Sequence, residues 1–517
     1  MIELTGNTLT IEELVAISRH NTTVAPLNKE VQTRMQASHD WVEKAIHEKG
    51  KIIYGVNTGF GSLSTQQIKP EQARQLSRNL IVLCVSGVGI PLPQDVVRAM
   101  MVIRANMLAK GNSGVRPVVA QTLIDMLNAG IIPYVPAKGS LGASGDLAPL
   151  SHIAVVMIRA ENEEDGGYSG LAYFENELID GSEAMRRAGL NRIVLGAKEG
   201  LALSNGIDFM AASGALAVQD TENLLDHAEV AAALSLEALL GISAAFDEDI
   251  HNISGQPGHQ KVASRIRELI KGSQLIDSDS DRLQDAYSLR CTAQVLGPIR
   301  DTISFLRERF ETALNAATDN PLIFPYGESY RALSGGNFHG AGPAMWLDFL
   351  GIALSEVANI AERRIFRLLT PELNAGLPAM LAPSSGLDGG LMMVQYTAAA
   401  LVSDNKTLAH PDSVDSIPSC ANQEDHVSMG ANAARHALEI IENVRFVVAI
   451  ELLTAAQAIE LRPDGPNRLG TFTKAAYIEI RKHVKFLEHD RQTTHDIDAL
   501  VSLIQSGEIL KTVGLAD

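Results

Sequence analysis

From Trp346 to Leu368 apolar residues recur at Leu347, Leu350, Leu354, Val357, Ala361, Ile365 and Leu368, every three or four positions. Ser355, Glu356, Asn359, Glu362 and Arg363 lie between them. This spacing predicts a long helix with one packing stripe. A second long helix is predicted from about Ala433 to Leu461, stopped by Arg462-Pro463-Asp464-Gly465-Pro466. The segment Asp220–Ala245, rich in Ala, Leu and Glu and almost without β-branched runs, also reads as helix. Strand-like alternation is confined to short stretches near Lys51–Tyr54 and Gly167–Phe174. The pattern therefore predicts a mainly α fold whose broad helix stripes are compatible with a large shared bundle. Residues 1–220 form an expected N-terminal region, 221–461 the long-helix bundle and 462–517 a C-terminal helical segment. The broad apolar faces of the long helices predict burial against further copies of the chain.

Composition narrows the class. The 517 residues exceed what one hydrophobic core of about 250–300 residues organises. With 46% hydrophobic and 20% charged residues, there is material for a core and no case for global disorder. A net charge of −18 without a basic stripe argues against nucleic-acid binding. Cys84, Cys291 and Cys420 lack the spacing of a disulfide framework or a zinc site. The N-terminal sequence has no basic-then-apolar signal pattern. The best apolar stretch, Val444–Leu461, contains Arg445 and Glu451, so no membrane span is expected. A cytoplasmic protein is the expectation. Asp247–His251 has metal-ligand chemistry, but without a second ligand pair it reads as an acidic helix end. Neither a metal nor a nucleotide cofactor is expected: Gly55–Gly61 resembles a phosphate loop, yet no Gly-Lys-Ser/Thr follows.

The irregular stretches carry more chemistry. Glycine-rich segments fall at 55–62, 111–117, 139–146 and 334–342, and loops carry function more often than helices do. In Gly139-Ser-Leu-Gly-Ala143-Ser144-Gly145-Asp146, three small residues in a row allow the backbone to fold onto itself. The Gly145 nitrogen could then reach the Ala143 carbonyl carbon, since glycine has no Cβ to block the approach. Ring closure and loss of water, the Ser144 hydroxyl included, would leave a five-membered ring with an exocyclic methylidene, a strong electrophile. The bland alternative is a tight turn capped by Asp146 ahead of a helix.

The longer string resembles the signature of the histidine/phenylalanine/tyrosine ammonia-lyases, which build 4-methylideneimidazol-5-one (MIO) from their own Ala-Ser-Gly. Further matching strings are Tyr54-Gly-Val-Asn-Thr-Gly-Phe-Gly61, Lys198-Glu-Gly-Leu-Ala-Leu-Ser-Asn205-Gly and Gln284-Asp-Ala-Tyr287-Ser-Leu-Arg290-Cys. Thr318-Asp-Asn320-Pro, Ser334-Gly-Gly-Asn337-Phe338-His-Gly and Asn422-Gln-Glu424-Asp-His-Val-Ser-Met follow in the family order. The resemblance implies a fumarase/aspartase-like helical architecture with an MIO-bearing N-terminal region, and a homotetramer whose active sites draw on several subunits. It implies elimination of ammonia from an L-aromatic amino acid to a trans-arylacrylate, the substrate amine adding to the methylidene carbon at position 144. Tyr54 matches the base, since a phenol serves as a base only where its anion is stabilised. Arg290 matches the carboxylate clamp. Asn205, Tyr287 and Asn320 match positions that hold substrate or polarise the MIO carbonyl. Phe338 flanks the ring, Gln284 joins the polar shell, Glu424 stands near the substrate amine, and Asp146 supports MIO. His426 reads as a structural histidine. A cofactor-free lyase of the fumarase/aspartase type is disfavoured because its Gly-Ser-Ser loop is absent. The intact Tyr54, Ser144 and Arg290 argue against a catalytically dead relative.

The wording resembles bacterial histidine ammonia-lyases overall, but Leu83-Cys84 replaces the Ser-His that meets an imidazole there. An apolar pocket leaves buried polar ring atoms unpaired, at about 1–3 kcal/mol each. Phenylalanine, giving cinnamate, is therefore the expected substrate. Histidine ammonia-lyase and an aromatic 2,3-aminomutase are the alternatives. Ile207-Asp208 after Asn205-Gly206 is a further departure, because the family generally has Asn-Gly-Thr there.

Overall fold

The computed structural model describes residues 1–48, 51–162, 167–279, 281–384 and 386–514. The fold is mainly helical, as the sequence pattern predicts. Four long helices dominate: Asp208–Ala238, Thr292–Leu314, Ala341–Leu369 and Gly430–Glu460. The stripe predicted at 347–368 lies within the third, and Leu347, Leu350, Leu354, Val357, Ala361, Ile365 and Leu368 are all buried. The helix predicted from 433 is the fourth, which ends at Glu460 just before Arg462-Pro463. The expected helix at 220–245 begins earlier and stops at Ala238, where Leu240 takes a positive φ and Gly241 follows. Arg462 satisfies that helix end, its Nε donating to the Ala238 carbonyl at 2.9 Å. Last-turn carbonyls have no intrahelical donor, so this contact fills a place the helix leaves open.

By contacts the chain divides into two compact units that draw on non-consecutive segments. The first comprises Met1–Leu216, Arg307–Asp348 and Pro411–Arg435; the second comprises Ala217–Leu306, Phe349–His410 and His436–Asp517. The expected regions 1–220, 221–461 and 462–517 instead follow chain order. In the first unit Val88–Pro91 pairs antiparallel with Pro136–Lys138. Ile132–Pro133, Leu171–Phe174 and Glu177–Asp180 make a small antiparallel sheet, and Leu322–Tyr326 pairs with Ser329–Leu333. The strand signal near Gly167–Phe174 thus yields Leu171–Phe174, whereas Lys51–Tyr54 forms no strand. There Asn57 holds the chain in a turn, accepting from the Ile53 N–H and donating to the Lys51 carbonyl, both at 2.8 Å.

The second unit is held partly by buried ions. Arg364 pairs with Glu451, both side chains fully buried, and Arg300 joins Asp226 and Glu229. Asp247–His251 takes the bland reading. Asp247 caps the helix Glu248–Ser254 through the Asp249 N–H, and the His251 ring meets the Ala245 carbonyl. Among the described residues no group of three His, Cys, Asp or Glu is placed to hold a metal. Among the described residues one helix, Ala341–Leu369, is long and apolar enough to cross a membrane, and 56% of its most apolar window is buried within the protein.

Candidate active site

The segment 139–146 links the strand Pro136–Lys138 to the helix Leu147–Met157, which is buried almost all round. Two left-handed glycines, Gly142 before the triplet and Gly145 as its last residue, flank Ala143-Ser144. Gly142 has φ +70°, and a Cβ on it would stand 2.3 Å from Ser428 Oγ; Gly145 has φ +76°, and its Cβ would meet the Gly206 carbonyl oxygen at 2.0 Å. No larger residue fits either place. Ala143 is buried against Val427 and Met429. The Gly142 carbonyl accepts from Ser428 Oγ and the Gly340 N–H, both at 3.0 Å.

Ser144 is held at both ends. Its carbonyl oxygen accepts from Asn205 Nδ2 at 2.6 Å, and its hydroxyl donates to Glu424 Oε1 at 2.5 Å. Asn205 follows the short helix Glu199–Ser204, whose first residue is fixed by Arg116. Asp146 is fully buried, and its Oδ2 accepts the Phe209 and Met210 N–H groups at 2.9 and 3.2 Å. It thereby caps the long helix 208–238 from a distant part of the chain. Burial pushes the Asp146 carboxyl up to about 7, with the charge of Asp208 adding and the N–H donors opposing. The triplet thus lies in a turn closed to side chains at Gly145, with a donor on the carbonyl that the ring would keep. These residues fit the MIO group.

Tyr54 lies in the loop that follows Lys51, where the Gly61 N–H donates to its oxygen at 3.1 Å. Leu83 and Cys84 end the helix Ala73–Cys84. Leu83 is 75% exposed. Burial pushes the Cys84 thiol up, a bond to Ser151 opposes this, and the charge of Glu424 adds to it; the group stays a neutral thiol. Behind it His152 Nε2 accepts from the Gly87 N–H at 3.2 Å. Burial lowers that imidazole to about 4, so it stays neutral. Asn320 Oδ1 accepts from the Gly335 N–H at 2.8 Å. Its backbone N–H donates to Asp319, whose carboxylate pairs with fully buried Lys198 at 2.5 Å.

Tyr54, Leu83, Cys84, Ala143, Ser144, Asn205, Asn320, Phe338 and Glu424 line one cavity of about 840 Å³. Gly145 and Asp146 lie behind the lining. Gln284, Tyr287 and Arg290 are not among its lining residues. They belong to the second unit, where Arg290 donates to Gln284 Oε1 and stacks 4.8 Å from the Tyr287 ring centre. Sequence reasoning singled out neither Lys198 nor Asp319, although both stand inside strings that carried the resemblance. It also passed over Ser419, whose hydroxyl donates to Glu424 Oε2 at 2.6 Å, and Arg104, and nothing in the local sequence marked either.

A sequence profile described as aromatic amino acid lyase matches residues 9–482. The chain belongs to the aromatic amino acid lyase family. Its lyases are MIO-dependent and cleave a carbon–nitrogen bond. A histidine ammonia-lyase of Treponema denticola is 48% identical over 507 residues, covering 98% of this chain and 97% of that protein. The crystal structure of histidine ammonia-lyase from Trypanosoma cruzi matches with TM-score 0.89 at 40% identity, over 99% of this chain and 95% of that one. A tyrosine aminomutase from Streptomyces globisporus matches with TM-score 0.91 at 35% identity, over 99% and 98%. The family and the helical architecture expected from the sequence are therefore met, whereas the expected preference for phenylalanine finds less support than its histidine alternative.

Proposed function

We propose that this lyase eliminates ammonia from L-histidine to give urocanate. The observation that carries the reading is Glu424, a carboxylate in the cavity 2.5 Å from the Ser144 hydroxyl. An imidazole offers an N–H that a carboxylate oxygen accepts, whereas a phenyl ring would leave Oε1 without a donor once the Ser144 hydroxyl is consumed, Ser419 holding only Oε2. The full-length likeness to histidine ammonia-lyases supports the same substrate. Phenylalanine remains a second reading because Leu83-Cys84 offers a ring little polar contact.

MIO formed from Ala143-Ser144-Gly145 supplies the electrophilic methylidene carbon that ordinary side chains lack. Asn205 holds the carbonyl at position 144 and draws electron density onto it. Tyr54 takes the β-proton; the Gly61 N–H donates to its oxygen and so stabilises the anion that accepts that proton. Phe338 and Leu83 pack the substrate ring, and Asn320 adds a polar contact. Gln284, Tyr287 and Arg290 serve the site of a neighbouring copy in a homotetramer, Arg290 clamping the substrate carboxylate. The 71% exposure of Tyr287 supports this assignment. So do the exposed Met345, Phe349 and Ile352 on one helix, an apolar row suited to burial between copies. We place the enzyme in the cytoplasm, acting on a free amino acid, with no nucleic-acid or membrane partner.

Ammonia release from histidine, phenylalanine and tyrosine, with Ser144→Ala as blank and product identified chromatographically, tests the reading. Urocanate as the dominant product is expected. Dominant cinnamate would replace histidine by phenylalanine, and a β-amino acid would make the enzyme an aminomutase.

A further inference from the structure

We propose that Glu424 also acts before any substrate arrives, as the proton relay for the second dehydration that matures the prosthetic group. The inference rests on the MIO reading of Ala143-Ser144-Gly145. Maturation removes two waters. Ring closure joins the Gly145 nitrogen to the Ala143 carbonyl carbon, and that carbonyl oxygen departs with the amide hydrogens of Gly145 and Ser144. The second water takes the Ser144 Oγ, its own hydrogen and the α-hydrogen. The Cα–H pair becomes the Cα=Cβ bond as Cβ–Oγ breaks.

An alkoxide or hydroxide is a poor leaving group, so Oγ needs one more proton as it departs. Glu424 Oε1 lies 2.5 Å from that oxygen. The α-carbon, acidified by the closed ring, is two bonds from Oγ. The carboxylate takes the α-proton and returns a proton from Oε1 to Oγ, which leaves as water. Glu424 begins and ends ionised, and atoms and charge balance without a further reactant.

Two features of the site suit this role. Glu424 is held for it: Ser419 Oγ donates to Oε2 at 2.6 Å, and the Ser419 and Glu424 backbones pair as a β-bridge. One oxygen is therefore anchored while the other faces Ser144. The contact also consumes itself. Once Oγ has gone, Oε1 loses its partner and becomes an acceptor facing the cavity, ready for a substrate N–H. Asn205 contributes from the other side by drawing electron density onto the Ser144 carbonyl, which favours loss of the α-proton.

The test is the mass of the proteolytic peptide spanning 143–145 from the full-length protein, followed in time after synthesis. The wild-type peptide should be two waters lighter than its encoded mass. Glu424→Gln keeps shape and hydrogen bonding but cannot accept and return a proton. Its peptide should accumulate one water lighter, with the second loss slowed about a hundredfold, while Glu424→Asp recovers part of the rate. Should Glu424→Gln fold poorly by circular dichroism, Ser419→Ala is the second variant, expected to slow the second loss without changing its endpoint. A Glu424→Gln peptide that loses both waters at the wild-type rate would overturn the relay. So would one that loses neither, since ring closure uses atoms Glu424 does not touch. A wild-type peptide at its encoded mass would overturn the MIO reading and the relay together.

Discussion

Arg104 and Asp208 meet 2.5 Å apart, each side chain about 1% exposed, directly behind the backbone that presents Asn205. The same guanidinium donates to the Ala202 and Asn205 carbonyls, both at 2.9 Å. The pair thereby ties the end of helix 199–204 to the start of helix 208–238 and fixes the amide that holds Ser144. Removing one partner of a buried pair strands the other charge, at about 3–5 kcal/mol. Asp208→Asn should lower the free energy of unfolding in urea by that margin, moving the midpoint down, and reduce kcat as Asn205 loses its support. An Asp208→Asn enzyme with an unchanged midpoint and kcat would show that Arg104 finds enough partners in the backbone.

Ser144 and Tyr54 should separate cleanly in mutants. Ser144→Ala removes the oxygen and the β-carbon functionality that the methylidene needs, so the near-ultraviolet absorbance of MIO and turnover should both vanish. Tyr54→Phe leaves the 143–145 turn untouched and should keep the absorbance. Its kcat should fall about 10²–10⁴-fold, the usual contribution of a positioned base. Retained turnover in Tyr54→Phe would dismiss the phenol as base.

Asp146 gives stability a pH dependence of defined sign. Its folded carboxyl is raised to about 7 by burial, above its ordinary value of 3.8. Between those values the folded state binds a proton that the unfolded state has released. This contribution therefore favours folding below the ordinary value and is lost as pH rises towards 7. The slope is at most about 1.4 kcal/mol per pH unit. Asp146→Asn can still accept the Phe209 and Met210 N–H groups. The difference in urea midpoint between the two proteins should shift in favour of the amide from pH 5 to pH 7. A constant difference would mean that Asp146 is already ionised at pH 5.

The long helices were legible because their burial follows a repeating stripe, as Leu347 to Leu368 shows. The helix end at Ala238 was not, since it depends on a left-handed Leu240 and on Arg462 more than two hundred residues away. The site divides in the same manner. Ala143-Ser144-Gly145, Tyr54 and Glu424 could be named from the strings around them, since the small side chains of the triplet alone equally suit an ordinary tight turn. Arg104 and Ser419 act through contacts of long sequence separation or an irregular turn, and no local pattern announces either. Arg290 could be named from its motif, but within the described chain it stacks on Tyr287 in the second unit.

Cys84 offers the sharpest test of substrate choice. The half-buried thiol lines the cavity at a helix end, and its electrostatic coupling to Glu424 is repulsive towards a thiolate. A neutral thiol is a weak hydrogen-bond partner, so an imidazole bound here relies on Glu424 for strong polar contact. A histidine at this position would add a ring nitrogen able to donate or accept. Pairing one otherwise unmatched polar ring atom is worth about 1–3 kcal/mol, or roughly tenfold to a hundredfold in relative kcat/KM. Cys84→His should therefore raise the histidine-to-phenylalanine ratio by that factor, mainly by improving histidine. Glu424→Gln in protein whose MIO content has been verified should lower the same ratio. If Cys84→His leaves the ratio where it was, position 84 does not read the ring, and the replacement of Ser-His by Leu83-Cys84 carries no weight in choosing between the two substrates.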